Sequence, residues 1–128
     1  SDDRVLIAAA LGSGAEIWRT NLHFNMFGRL AVSNDTGYIG TLLGKLYAIN
    51  LATGAEVWSF ATDGYLQNRL KYFKDNDSFR DDIFEIVKSD AAFIDVEHEI
   101  GAIFSTPAVT DRYILVTSTD GNLYCLRR

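Results

Sequence analysis

A chain of 128 residues with 48% apolar side chains is long enough for one ordinary core and too apolar to read as disordered. Its formal net charge of −5 leaves no basic footprint for nucleic acid, and its longest plain apolar run, residues 5–11, falls far short of the roughly 20 residues that cross a bilayer. A single cysteine, Cys125, excludes an internal disulfide and a cysteine-rich zinc site, and no stretch reads as a signal peptide.

In chain order, residues 4–20 hold an apolar segment, a turn at Ser13-Gly14 and then Ala15-Glu16-Ile17-Trp18. Residues 28–60 divide into four short strands separated by turn signals. Leu30–Ser33 comes first, and Asn34-Asp35-Thr36-Gly37 turns the chain. Tyr38–Leu42 follows, with a tight turn at Leu43-Gly44. Lys45–Asn50 and Ala55–Phe60 then flank a loop that ends in Thr53-Gly54. Asn50 is suited to bond the backbone of that loop, and Gly54 to take the left-handed conformation it requires. Trp58 stands on the outermost strand with no further strand to cover it. Its indole is expected to plug against a neighbouring unit, with the N–H finding a partner.

Residues 65–100 are a different kind of sequence. Between 75 and 99 stand nine carboxylates against Arg80 and Lys88, a local charge of −7, so the rest of the chain sums to +2. Leu66, Leu70 and Phe73 fall at i, i+4 and i+7, which predicts a short amphipathic helix with those residues on its apolar face. Ser78-Phe79-Arg80-Asp81 resembles a capping box, and Phe79, Ile83, Ile86 and Val87 share one face of a second predicted helix over 79–88. Residues 91–99 are expected to return as an extended segment. Asp75-Asn76-Asp77-Ser78 fails the calcium-loop pattern, since Arg80 stands where glycine is needed and Ile86 where a bidentate Glu is needed. Glu97-His98-Glu99 on a strand would point His98 away from its neighbours, so a surface histidine is the expectation there, and His23 is the only other imidazole.

The last segment, 105–128, repeats the second. At an offset of 77 residues and without a gap, Ala31-Val32-Ser33 falls on Ala108-Val109-Thr110, Tyr38-Ile39 on Leu115-Val116 and Leu46-Tyr47 on Leu123-Tyr124. Cys125 falls on Ala48, which predicts a small buried residue, and Asp120-Gly121 falls on the Leu43-Gly44 turn and predicts a type I′ hairpin. A second self-similarity, at an offset of 40, sets Ser13–Trp18 on Thr53–Trp58. Four short antiparallel strands in about 35–40 residues, repeated, is the pattern of a propeller blade. The step from Trp58 to Pro107 exceeds the equivalent step from Trp18 to Leu30 by 37 residues, so 65–100 is an insertion between two blades.

These residues carry a family resemblance. Ala48-x-Asn50-x-x-Thr53-Gly54-x-x-x-Trp58 resembles the tryptophan-docking motif of quinoprotein-type (PQQ-like) β-propeller repeats, and Thr106-Pro107-Ala108-Val109 with Asp120-Gly121-Asn122-Leu123-Tyr124 resembles the opening strands of the same repeat. It covers 28–60 and 105–128 well and 4–20 weakly, since Ala10 replaces the Asn or Asp and Ser13 the Thr; 65–100 does not match. The resemblance implies an all-β fold of four-stranded antiparallel blades, a partial propeller of two to three blades, treated as a single domain over 1–128. The structural motif it implies comprises Trp18, Gly44, Ala48, Asn50, Thr53, Gly54, Trp58 and Gly121.

For function, the resemblance points to a non-catalytic scaffold that binds protein, periplasmic or extracellular, similar to outer-membrane-assembly lipoproteins. No catalytic residue, no metal and no cofactor, neither PQQ nor calcium, is expected. The alternatives are part of a PQQ-dependent dehydrogenase, whose family carries an adjacent cysteine pair that one cysteine cannot make, or a binder of small molecules or glycans. Tyr47, Tyr124, Phe24 and Phe27 would serve such a binder, although the two tyrosines recur with the repeat and read as structural. The expected partner is a protein, held through the acidic insertion. Residues 4–20 read as the last two strands of a blade and 105–128 as the first three, whereas closed propellers need about four to eight blades. The chain is therefore expected to be either a piece of a longer propeller or a protomer whose halves pair head to tail with other copies.

Overall fold

Turn chemistry cuts the chain into three antiparallel sheets, which the computed structural model describes over residues 4–128. Strands β1 (Val5–Ala9) and β2 (Glu16–Asn21) form a two-stranded sheet. Strands β3 (Ala31–Ser33), β4 (Thr36–Gly40), β5 (Lys45–Asn50) and β6 (Glu56–Ala61) form a four-stranded meander. Strands β7 (Ala108–Val109), β8 (Tyr113–Thr117) and β9 (Leu123–Arg127) form a three-stranded one. One whole blade thus stands between the last two strands of one and the first three of another.

Two turns differ from expectation. Asn34 and Asp35 alone reverse the chain between β3 and β4, with Asn34 at φ 53°. Thr36 and Gly37 already belong to β4, because they pair with Ser33 and Val32. The β8–β9 turn is not type I′: of Asp120 and Gly121 only the glycine has positive φ, 87°. Gly121 N donates to Ser118 O at 3.2 Å and Ser118 N to Asn122 O at 3.1 Å, so three residues span the turn rather than two. The β4–β5 turn follows the same scheme, with Gly44 N donating to Thr41 O at 3.2 Å and Thr41 N to Lys45 O at 2.8 Å. A left-handed glycine closing a three-residue hairpin loop needs only one positive φ.

Alternation along β4 and β5 then builds two cores, one on each face of the central blade. Ile39, Tyr47 and Ile49 point to the β1–β2 side, where they meet Leu22, Met26, Leu6 and Trp18. Tyr38, Leu46 and Ala48 point to the other side, where they meet Ile114, Val116, Val109 and Leu126. Equivalent positions of neighbouring blades touch at their inner ends: Phe27 and Phe104, 77 residues apart, have ring centroids 5.8 Å apart. Arg29 N donates to Thr106 Oγ1 at 2.9 Å, again across one repeat. This is side-by-side blade packing around an axis.

The insertion forms three helices, α1 (Asp63–Tyr72), α2 (Ile83–Ile86) and α3 (Asp90–Glu99), around a core of Tyr65, Phe73, Ile83, Val87, Val96 and Ile100 that also takes in Leu43 from the β4–β5 turn. Its helices depart from the predicted ones. On α1 the buried face is Gly64 and Tyr65, while Leu66 and Leu70 are 65% and 56% exposed. Polar partners for Tyr65 and Arg69, described below, turn that side of the helix inward. The second helix shrinks to one turn: Ser78 Oγ bonds Asn76 Oδ1 instead of capping it, Phe79 bridges to Phe73 in a β-like contact, and Ile86 faces out. Residues 91–99 are helical rather than extended. Ser89 Oγ accepts from Ala92 N at 3.2 Å as N-cap, Asp90 sits in the first turn, and Phe93, Val96 and Ile100 recur at helical spacing toward the core.

Candidate functional site

The recurrent turn-and-tryptophan motif is a blade-to-blade latch. Trp18 Nε1 donates to Leu51 O at 2.8 Å, in the loop of the next blade. That loop is shaped by its own polar residues: Asn50 Oδ1 accepts from Ala52 N at 2.9 Å and from Thr53 N at 3.2 Å, and Thr53 Oγ1 accepts from Ala55 N at 3.2 Å. Thr20 Oγ1 also donates to Gly54 O. Gly54 has φ 75°, and a Cβ there would lie 2.6 Å from Trp18 Cε3, so both the conformation and the close approach require glycine. In the first copy Ser13 Oγ accepts from Ala15 N at 3.2 Å as Thr53 does, so the Ser-for-Thr exchange keeps that bond. Ala10 has no polar group to make the bonds that Asn50 makes.

Trp58 occupies the corresponding place on β6. It pairs with Ala48 across the strands and packs on Tyr38, with ring centroids 5.9 Å apart, against the core shared with β8 and β9. Its N–H has no acceptor among the described residues, so the hydrogen-bonded latch appears at Trp18 and the packing alone at Trp58. Ala48 is fully buried, but its counterpart Cys125 is exposed, contrary to expectation. Ala48 is covered by β6 and the next sheet, whereas no fourth strand covers β9 among the described residues. A Cβ at Gly121 would meet no neighbour within 4 Å, whereas Gly44 is crowded: a Cβ there would lie 2.3 Å from Ile100 O and 2.6 Å from Thr62 Oγ1.

That crowding marks the base of the insertion. Thr62, fully buried, caps α1 by accepting from Tyr65 N, and its hydroxyl lies 3.1 Å from Ile100 O, so one side chain ties the two ends of the insertion together. Above it stands a cluster around Asp77. Lys45 Nζ reaches Asp77 Oδ2 at 2.6 Å, Tyr65 OH donates to Oδ1 at 2.6 Å, and Arg69 Nη1 reaches Oδ1 at 3.2 Å. Burial opposes ionisation of Asp77, but the bonds from Lys45 and Tyr65 and the charges of Lys45 and Arg69 outweigh it and hold its pKa below the usual value. Asp77 of the Asp75–Ser78 stretch is thus taken up by two cations, Lys45 and Arg69.

A second tie joins the insertion to β9. Asp120 Oδ2 accepts from Gly64 N at 3.1 Å and from Tyr124 OH at 2.6 Å, and Tyr124 OH accepts from Asp63 N at 2.8 Å. Tyr72 OH donates to Glu99 Oε2 at 2.9 Å, beside Lys71 Nζ at 3.2 Å; burial and then that bond push the phenol up to about 12. None of Thr62, Asp77, Asp120 and Tyr124 in these roles was legible from spacing. Glu97, His98 and Glu99 lie on a helix, where His98 Nδ1 bonds Ile94 O at 2.7 Å, and no group of three potential ligands is placed to hold a metal among the described residues. Phe24 lies against Phe73 and Phe79, Phe27 against Phe104, Tyr47 in the inter-blade core and Tyr124 on the Asp120 tie. No helix is long and apolar enough to cross a membrane among the described residues.

The outer side of the insertion combines acid with exposed apolar groups. Leu66 and Leu70 on α1, Phe84 on α2 and Ile94 on α3 all face solvent in or beside the −7 segment.

The comparisons with known proteins agree with this geometry. The family described as outer membrane protein assembly factor BamB matches residues 1–76. Among solved structures, BamB from Moraxella catarrhalis superposes with a TM-score of 0.65 at 18% identity, covering 99% of this chain and 32% of that one. The computationally designed Ika8 protein superposes with a TM-score of 0.54 at 11% identity, covering 100% of this chain and 29% of that one. At such identities the likeness concerns the fold, and the chain spans about a third of the length of these solved structures. No curated protein matches the chain.

Proposed function

Since the chain belongs to the BamB-type family of PQQ-like propeller repeats, we propose that it is a non-catalytic, protein-binding scaffold of the cell envelope whose contact surface is the helical insertion. The observation that carries this reading is the insertion itself. The blades do not need it, yet Thr62, Asp77 and Asp120 pin it firmly, and it presents Leu66, Leu70, Phe84 and Ile94 within an acidic segment. A partner with a basic, partly apolar surface fits it, and its association should weaken as salt rises. The scaffold uses no cofactor. The test is retention of envelope proteins on the chain, with and without residues 65–100 replaced by a short loop. Retention that ignores both salt and the replacement would overturn the reading.

The same reading treats the three sheets as a stretch of a longer propeller. The end sheets supply five strands between them, and β1 and β9 both hold the third place of a blade, so head-to-tail pairing of copies would fill that place twice. Light scattering tests this: a discrete trimer or tetramer of the isolated chain would restore the ring of copies.

A further inference from the structure

Where the insertion meets the loop between β2 and β3, a cavity of about 260 Å³ opens to solvent. Its walls are aromatic, with Phe24 from the loop, Phe73 following α1, Phe79, and Phe93 from α3. Phe24 meets Phe73 edge to face at 5.7 Å and 80°, Phe79 meets Phe93 likewise at 6.0 Å and 81°, and Phe73 stacks on Phe79 at 5.0 Å and 25°. The volume lies below the roughly 300–1,000 Å³ of pockets that hold whole small molecules, and it suits a single side chain.

Two charged residues share the lining, and they differ. Arg4 is engaged: its Nε donates to Asn25 Oδ1 at 3.3 Å, and its guanidinium lies over the Phe24 ring, 5.4 Å from the centroid. Glu97 is half-buried and has neither an ion pair nor a side-chain hydrogen bond among the described residues. Burial raises its pKa above the ordinary value. A carboxylate partly stripped of water beside aromatic rings is complementary to a cation carried on an apolar stem.

We propose that this hollow is a socket for one large apolar side chain of a partner polypeptide, and that an adjacent basic residue of the same segment pairs with Glu97. The proposal rests on the scaffold reading and names its point of contact. Three properties select this occupant: a hollow of side-chain size, an aromatic wall, and a carboxylate without a cation partner among the described residues, inside a segment of charge −7.

The test is an NMR titration of the chain with three probes: N-acetyl-phenylalanyl-lysine amide, its phenylalanyl-glutamate counterpart and its alanyl-lysine counterpart. The first should shift the Phe24, Phe79 and Phe93 ring resonances. The second should bind roughly three- to fivefold more weakly, the scale of a part-exposed ion pair, and the third should leave those rings unmoved. Glu97→Gln, which keeps the shape of the side chain, should abolish the preference for lysine over glutamate while the phenylalanine-dependent shifts remain. Ring resonances unmoved by the first probe, or moved equally by the alanyl-lysine probe, would overturn the socket. If retention of envelope proteins still depends on residues 65–100 and on salt in that event, the scaffold reading survives and only its contact point is wrong.

Discussion

The central blade and the insertion pack against each other, yet different forces hold them. Strands β4 and β5 are buried on both faces, and what surrounds them is almost wholly apolar. The insertion packs a small apolar core onto Leu43 and Phe24 of the blades, and adds to it charged and hydroxyl ties around Thr62, Asp77 and Asp120. Apolar burial does not respond to pH, whereas paired carboxylates do. The blade should therefore set the stability of the whole chain, and the insertion should loosen first as pH falls.

The largest effect should come from the blade. Leu46 is fully buried between β5 and the next sheet, so Leu46→Ala should cost about 2–5 kcal/mol, visible as a large fall in melting temperature that is the same at pH 5 and pH 8. Next comes Asp77→Asn, which leaves Lys45 and Arg69 facing each other without their carboxylate. Breaking a largely buried pair costs about 3–5 kcal/mol, and the partial exposure here reduces that to about 2–3. Amide exchange should quicken over 63–100 while β4 and β5 stay protected. Because the folded state lowers the pKa of Asp77, its contribution is full above the ordinary Asp value of about 3.9 and is lost as pH falls through the lower folded value. The gap between wild type and Asp77→Asn should thus be wide at pH 7 and begin to narrow only as pH falls below the ordinary Asp value. A gap independent of pH would mean that shape, not charge, secures the insertion.

The two tryptophans sharpen the comparison within the blades. Trp18→Phe removes the bond to Leu51 O and should cost about 1–2 kcal/mol, whereas Trp58→Phe removes no observed bond and should cost under about 1 kcal/mol by denaturant unfolding. Equal costs would show that packing, not the hydrogen bond, makes the latch. The smallest effect should be a gain. Glu97 has a raised pKa, so its ionised form opposes folding above the ordinary Glu value of about 4.3. Glu97→Gln should stabilise the chain at pH 7 by under about 1 kcal/mol, with no difference at pH 3.

The blade was legible in the sequence because its signals are local. Turn residues and alternation set Lys45–Asn50 as a strand, and the offsets of 40 and 77 residues set which strands are equivalent. Gly54 and Trp18 were legible as positions in two copies of one repeated motif, although only the structure shows that they meet across blades. The insertion was legible as a foreign, acidic, partly helical segment, but its faces were not. Leu66 and Leu70 have the spacing of a buried stripe, and they face water because Asp77, twelve residues after Tyr65, draws the other side of α1 inward. Cys125 aligns with a buried alanine and is exposed because burial depends on what lies over a strand, not on the strand itself. Periodicity within a segment reports which residues share a face. Which face is covered depends on partners distant in sequence, and those only the tertiary structure brings together.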